Sequence, residues 1–226
     1  MSVVVPMFPL SHVLLPGMPL PLHVFEQRYR DMLADIGAAQ TGTGAFGVVS
    51  LRSGTEARQR HTGDGPPDVE PIGTLAEILE IETADDGSAD LLCVGSRRFT
   101  VHRLITDGAE YLRAEVDYLD EDDGDLRDGV DVRARELLGV YDEILQRLAG
   151  RATGSELPTD ASQLSYQIAA RLPLGPIERQ QLLADPTTAA RLARVGRLLR
   201  REIALLRGTR SIAVSPAVLR MSAGVN

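Results

Sequence analysis

The chain has 226 residues, enough for one large domain or two small ones, and its 43% hydrophobic content is ordinary for a soluble globular protein. All 24 basic residues are Arg, so there is no lysine for a Schiff base, a Ser-Lys dyad or a phosphate loop. The net charge is −8, with 22 acids against 10 Arg in residues 1–127, which argues against nucleic acid as a partner. The single Cys93 excludes an intramolecular disulfide and a Cys-rich zinc site. It fits a reducing, cytoplasmic compartment. The N-terminal MSVVVPMFPL has no basic region, and its apolar run is broken by prolines, so it does not read as a signal peptide. No apolar run approaches the length of a membrane span, and no membrane partner is expected.

Val3-Val4-Val5 predicts a strand that ends near Pro6 or Pro9. A loop follows from Ser11 to Pro16, with Pro16-Gly17 as its turn. Pro19-Leu20-Pro21-Leu22 is held extended by its prolines and belongs at a sheet edge or in a gap between elements. His23 to Ile36 reads as a helix, with Phe25, Tyr29, Met32 and Ile36 on its inner face and Gly37 as its stop. Ala45 to Leu51 is a short strand, and 53–71 reads as a mobile surface loop. Strands at 72–83 and 91–105 flank an Asp-Gly turn, with a bend or bulge expected near Gly95. Residues 112–118 alternate as a half-buried antiparallel strand.

The acidic run 120–129 is expected to be a solvated linker, because everything after it has helical period. Helices are predicted over 130–148, 161–172 and 176–183. A last one is predicted from an Asp185 cap with Pro186 at the first position to about Arg207. The class is therefore α+β, with four parts: a β-rich unit over 1–119, the linker, a helical bundle over 130–208, and an arm or tail over 209–226.

Certain of these residues resemble a known family. Phe8-Pro9-Leu10, Leu15-Pro16-Gly17, Pro19-Leu20-Pro21-Leu22 and above all Phe25-Glu26-Gln27-Arg28-Tyr29 are similar to the N-terminal substrate-binding domain of Lon proteases. The pentapeptide matches that family's F-E-x-R-Y signature. A second match lies in Leu182-Leu183, Arg191-Leu192 and Leu198-Leu199-Arg200-Arg201-Glu202. The resemblance implies an antiparallel, barrel-like β subdomain of PUA-like type followed by helices. It also implies binding of unfolded or partly folded polypeptide, in an adaptor or holdase that serves a protease or chaperone system. It does not imply proteolysis: the absent lysine denies both the family's ATPase and its Ser-Lys peptidase centre. A small-molecule or nucleic-acid binding PUA-like module is the alternative.

No catalytic residue, cofactor or metal site is expected. Ser11-His12 is a neighbouring pair without implied geometry. His23 and Glu26 could share a metal but lack a third ligand. Cys93 on an apolar strand reads as a small buried hydrophobe. The arginines at 191, 194, 197, 200, 201 and 207 read as a solvated outer face of the last helix. Val13, Leu14, Leu15 and Met18 stand in a loop. They are the expected polypeptide-binding residues if they remain exposed, and core residues if they do not.

Overall fold

A computed structural model describes residues 2–38, 44–52, 66–149 and 156–209. Residues 53–65 of the expected 53–71 loop, residues 150–155 and the segment after 209 lie outside the described residues. The chain divides into two compact units, Met1–Asp120 and Glu121–Asn226. The described elements form one mixed sheet and five helices, an α+β arrangement.

The first unit holds six strands: β1 (Val3–Leu10), β2 (Pro19–Val24), β3 (Ala45–Ser50), β4 (Ile72–Thr83), β5 (Ala89–Ile105) and β6 (Arg113–Tyr118). Their order is β2-β5-β4-β3-β1-β6, and β5 pairs again with β6. One side of the long β5 thus carries β4. Its other side carries β2 over Ala89–Val94 and β6 over Phe99–Ile105. Only β1 and β3 run parallel.

β1 runs through Pro6 and ends one residue past Pro9. Met7 N–H donates to Leu112 O, and Leu10 O accepts from Leu51 N–H. Odd-numbered backbone groups therefore face β6, and even-numbered ones face β3. Pro6 points toward β3 one residue before that pairing begins. Pro9 points toward β6 after that pairing has ended. Neither ring removes a ladder donor that is needed.

Two backbone approaches require glycine. A Cβ on Gly73 would lie 2.4 Å from Val48 O and 2.6 Å from the Phe99 ring. One on Gly95 would lie 2.5 Å from Leu15 O, so Gly95 admits the 11–18 loop onto the sheet. The irregularity expected near Gly95 is present, where Thr74 and Ala76 face Arg98 and Gly95 across the ladder.

Helix α1 (Gln27–Ala38) starts four residues later than its sequence pattern suggests. His23 and Val24 instead continue β2 opposite Asp90 and Ala89. Cross-strand pairing and the burial of Val24 outweigh helical period here. Tyr29 and Met32 are buried with Leu20, Leu91, Cys93 and Phe46 in the larger core cluster. Tyr29 stacks on Phe8 with ring centroids 4.0 Å apart.

The second unit holds α2 (Val130–Ala149), α3 (Ala161–Arg171), α4 (Pro176–Ala184) and α5 (Thr188–Thr209). The first three each contact α5, whose Leu192, Val195 and Leu199 are fully enclosed. Asp185 and Pro186 do not open α5. Asp185 closes α4 and holds Arg194 at 2.8 Å. Thr187 caps α5 instead, its hydroxyl accepting from Ala190 N–H at 3.1 Å. Thr188 and Ala189 N–H donate to the carbonyls of Asp122 and Asp123.

The run 121–129 is thus tied to the helices rather than being only a solvated linker. Its anchor is Arg191, 0% exposed. Arg191 Nη2 donates to Glu121 at 2.8 Å, Nε donates to Ser165 at 2.6 Å, and the guanidinium lies 4.0 Å over the Tyr166 ring. Arg191 is therefore not on a solvated face, and Arg201 pairs with Glu178 and Glu202. Arg197, Arg200 and Arg207 are exposed.

Candidate functional site

The expected loop residues are core residues. Val13 is 3% exposed, Leu14 3% and Leu15 0%, and Leu14 packs with Phe8, Leu20 and Phe46. Met18 is half-buried against the same cluster. Leu14 O accepts from the Thr74 hydroxyl at 2.7 Å, and Gly17 N–H donates to Gly95 O. The loop is pinned at both ends, and its apolar side chains fill the interior instead of presenting a patch.

The exposed apolar surface lies next to it. β2 is an edge strand, paired on one side to β5. Leu20, Leu22 and Val24 point into the core. Pro19, Pro21 and His23 point outward and are exposed, and the alternation carries on to Phe25. Phe25 is 65% exposed, and the His23 ring stacks near it with centroids 6.0 Å apart. Phe25 is therefore a large apolar side chain left in water just past the end of β2. Phe25 was expected in the core with Tyr29; shortening α1 moves it to the opposite side of the chain.

The free edge of β2 has an unusual hydrogen-bonding character. Gly95 N–H donates to Met18 O, so even-numbered backbone groups of this strand face β5. The odd-numbered groups face outward, and two of these three positions are Pro19 and Pro21. Only His23 offers an N–H there. An incoming strand would find acceptors but almost no donors along this edge.

The F-E-x-R-Y segment is mainly structural. Glu26 pairs with Arg28 at 2.8 Å, and Arg28 lies 4.6 Å over the Tyr29 ring. Burial pushes the Tyr29 hydroxyl pKa up. Arg30 reaches across to Asp86 O in the β4–β5 turn. In that turn Ser88 donates to the Asp86 carboxylate from its hydroxyl and its N–H, which holds the Asp86 pKa down.

The described histidines lie on exposed surface. His23 Nδ1 lies 2.8 Å from Asp90, but both side chains are more than half exposed on an open sheet face. His12 is exposed on its loop. Glu26 is engaged by Arg28, so His23 and Glu26 do not converge as ligands. No group of three potential metal ligands converges among the described residues. Cys93 is fully buried, and desolvation raises its thiol to about 11, well away from a reactive thiolate. No described helix is long and apolar enough to cross a membrane.

The model of the ATP-dependent protease La (LON) substrate-binding domain matches residues 4–201. A Lon protease 2 from Syntrophobacter fumaroxidans is 28% identical over 197 residues, 84% of this chain and 23% of that protein. A Lon protease from Methylocella silvestris is 30% identical over 208 residues, 88% of this chain and 24% of that protein. The chain thus spans about a quarter of the length of these relatives. Among solved structures, a Lon N-terminal domain protein from Xanthomonas campestris aligns with a TM-score of 0.61 and 28% identity, covering 85% of this chain and 96% of that one. The N-terminal domain of a Mycobacterium avium complex Lon protease aligns with the same TM-score at 18% identity, covering 88% and 98%, and supports the fold alone.

Proposed function

Because the chain belongs to the Lon substrate-binding domain family, we propose that it is a polypeptide-binding protein that engages non-native clients through the outward stripe Pro19, Pro21, His23 and Phe25. The family match over residues 4–201 carries this reading. The stripe supports it: rigid, half-apolar and short of edge donors, it suits side-chain capture of variable sequences. Leu14 contributes indirectly, by filling the core beside Leu20, while Val13 and Leu15 are buried. The reading includes no catalytic step. The protein acts as an adaptor or holdase, and lacking any lysine it contributes neither a phosphate loop nor a Ser-Lys dyad. The same reading takes the closed circuit of strand pairing as the PUA-like, barrel-like element and places the protein in the cytoplasm with Cys93 reduced.

The test is binding of the purified full chain to two unfolded polypeptides, casein and reduced lysozyme, against native lysozyme. Both unfolded chains should bind at micromolar concentration and native lysozyme should not. Phe25→Ser should weaken binding at least about tenfold, the effect of losing one interface anchor. If neither unfolded chain binds at high micromolar concentration, the reading fails.

A further inference from the structure

The outward stripe of β2 is one column of a wider sheet face. Pairing sets three columns side by side, in rows Pro19–Val94–Glu77, Pro21–Leu92–Glu80 and His23–Asp90–Glu82. Residues paired across strands share a face, and the core set Leu20, Leu22, Leu91, Cys93 and Ile78 occupies the opposite one. Leu92 and Val94 keep part of their surface in water and join neither core cluster of this unit. The face is therefore an apolar strip about two strands wide, bounded on its β4 side by a ladder of glutamates.

Those glutamates are uncompensated. Glu80 and Glu82 are exposed, Glu77 is half-exposed, and none forms an ion pair among the described residues. His23, on the same face, is engaged by Asp90. Arg30 reaches the hairpin turn but binds the Asp86 carbonyl. Residues 1–120 as a whole hold 18 acids against 9 Arg. Carboxylates lined along one strand repel one another, and a cationic partner relieves that repulsion.

Resting on the polypeptide-binding reading, we propose that this face selects clients by charge: its occupant is an extended polypeptide segment in which Arg or Lys is interspersed with apolar residues. An extended client repeats its side chains every two residues at roughly 7 Å, the repeat of Glu80 and Glu82 along β4. Apolar client residues lie on Pro19, Pro21, Leu92 and Val94, and cationic ones reach the ladder, with Arg able to grip a carboxylate through two hydrogen bonds. Anionic segments and nucleic acids are repelled by the same ladder.

The experiment uses the full chain and three labelled, disordered peptides of identical apolar content. Their interspersed positions carry Arg, Gln or Glu, and binding is read by fluorescence anisotropy. The Arg peptide should bind about tenfold tighter than the Gln peptide at low salt, the sum of a few exposed ion pairs. The preference should collapse near 0.5 M salt. E77Q/E80Q/E82Q should bring the Arg and Gln peptides to within twofold of each other and leave the Gln peptide unchanged. The charge-matched control D107N/E110Q/E136Q should keep the preference. If the triple variant loses its folded circular dichroism spectrum, the single substitutions are read instead, each weakening the Arg peptide about twofold. Equal binding of Arg and Gln peptides, or a preference that survives removal of the ladder, overturns the charge proposal and leaves polypeptide binding intact. Binding of no peptide overturns both.

Discussion

The buried arginine of α5 offers the sharpest test of how the helical unit is held together. Arg191→Met removes four donated hydrogen bonds, to Ser165, Glu121, Ser162 and Thr188. It leaves the Glu121 carboxylate without its cation. Breaking a buried ion pair on one side costs about 3–5 kcal/mol. The Glu121 side chain is 33% exposed and keeps hydrogen bonds from Tyr166 and Ser162, so it can rehydrate. That puts the cost at the low end, about 3 kcal/mol. For a unit of roughly a hundred residues this lowers Tm by about 12–24 °C, read as loss of helical circular dichroism at 222 nm. Arg191 Nη1 is buried and makes no hydrogen bond among the described residues, so the network is incompletely satisfied. The double variant Arg191→Met/Glu121→Leu should therefore recover at least half of the loss, because removing both partners strands no charge. A shift below about 4 °C for the single variant, or a double variant worse than the single one, would refute the account of Arg191 as the anchor of the acidic run.

Other outcomes follow from the same structure. Gly73→Ala forces a methyl against Val48 O and the Phe99 ring, and should destabilise the first unit by about 1–3 kcal/mol in urea unfolding. Cys93, raised to about 11, should resist a thiol reagent at pH 8 in the native protein and react at the ordinary rate in denaturant. The Glu178 pKa is depressed from 4.5, chiefly by its hydrogen bond from Arg201. The resulting stability is present above about pH 4.5 and is lost as pH falls through the lower folded value; Glu178→Gln should flatten that part of the acid-unfolding curve. Phe25→Ser should leave Tm within a degree or two while Tyr29→Ala costs about 3 kcal/mol or more, since one side chain is exposed and the other is stacked in the core.

The strands and helices were legible because their periods were clean. The alternation over 112–118 and the spacing of Leu192, Val195 and Leu199 each corresponded to a real buried face. The stretch before α1 misled because Phe25, Tyr29, Met32 and Ile36 satisfy a helical period by accident of a strand meeting a helix. The competing signal was present: Leu20, Leu22 and Val24 alternate with Pro19, Pro21, His23 and Phe25, a period of two that runs one residue past the strand. Arg191 was illegible for a different reason. Nothing local distinguishes it from Arg197 or Arg200; its burial depends on Glu121, seventy positions away in sequence. Asp185-Pro186 carried a valid start signal, but the α5 amides are capped by the Thr187 hydroxyl and the carbonyls of Asp122 and Asp123 instead. The glutamate ladder is likewise a product of register, since a bulge at Leu79 puts Glu80 and Glu82 on the same face as Glu77.

The two prolines on the outer edge of β2 bear on the proposed binding of unfolded chains. A protein that holds unfolded segments against a sheet risks seeding them: a bare edge with regular donors and acceptors is a ready nucleus for cross-β growth. With Pro19 and Pro21 occupying two of the three outward positions, this edge cannot propagate its ladder into a client. Under the proposed polypeptide-binding function, a segment bound beside this edge would be held by side chains and not by backbone pairing.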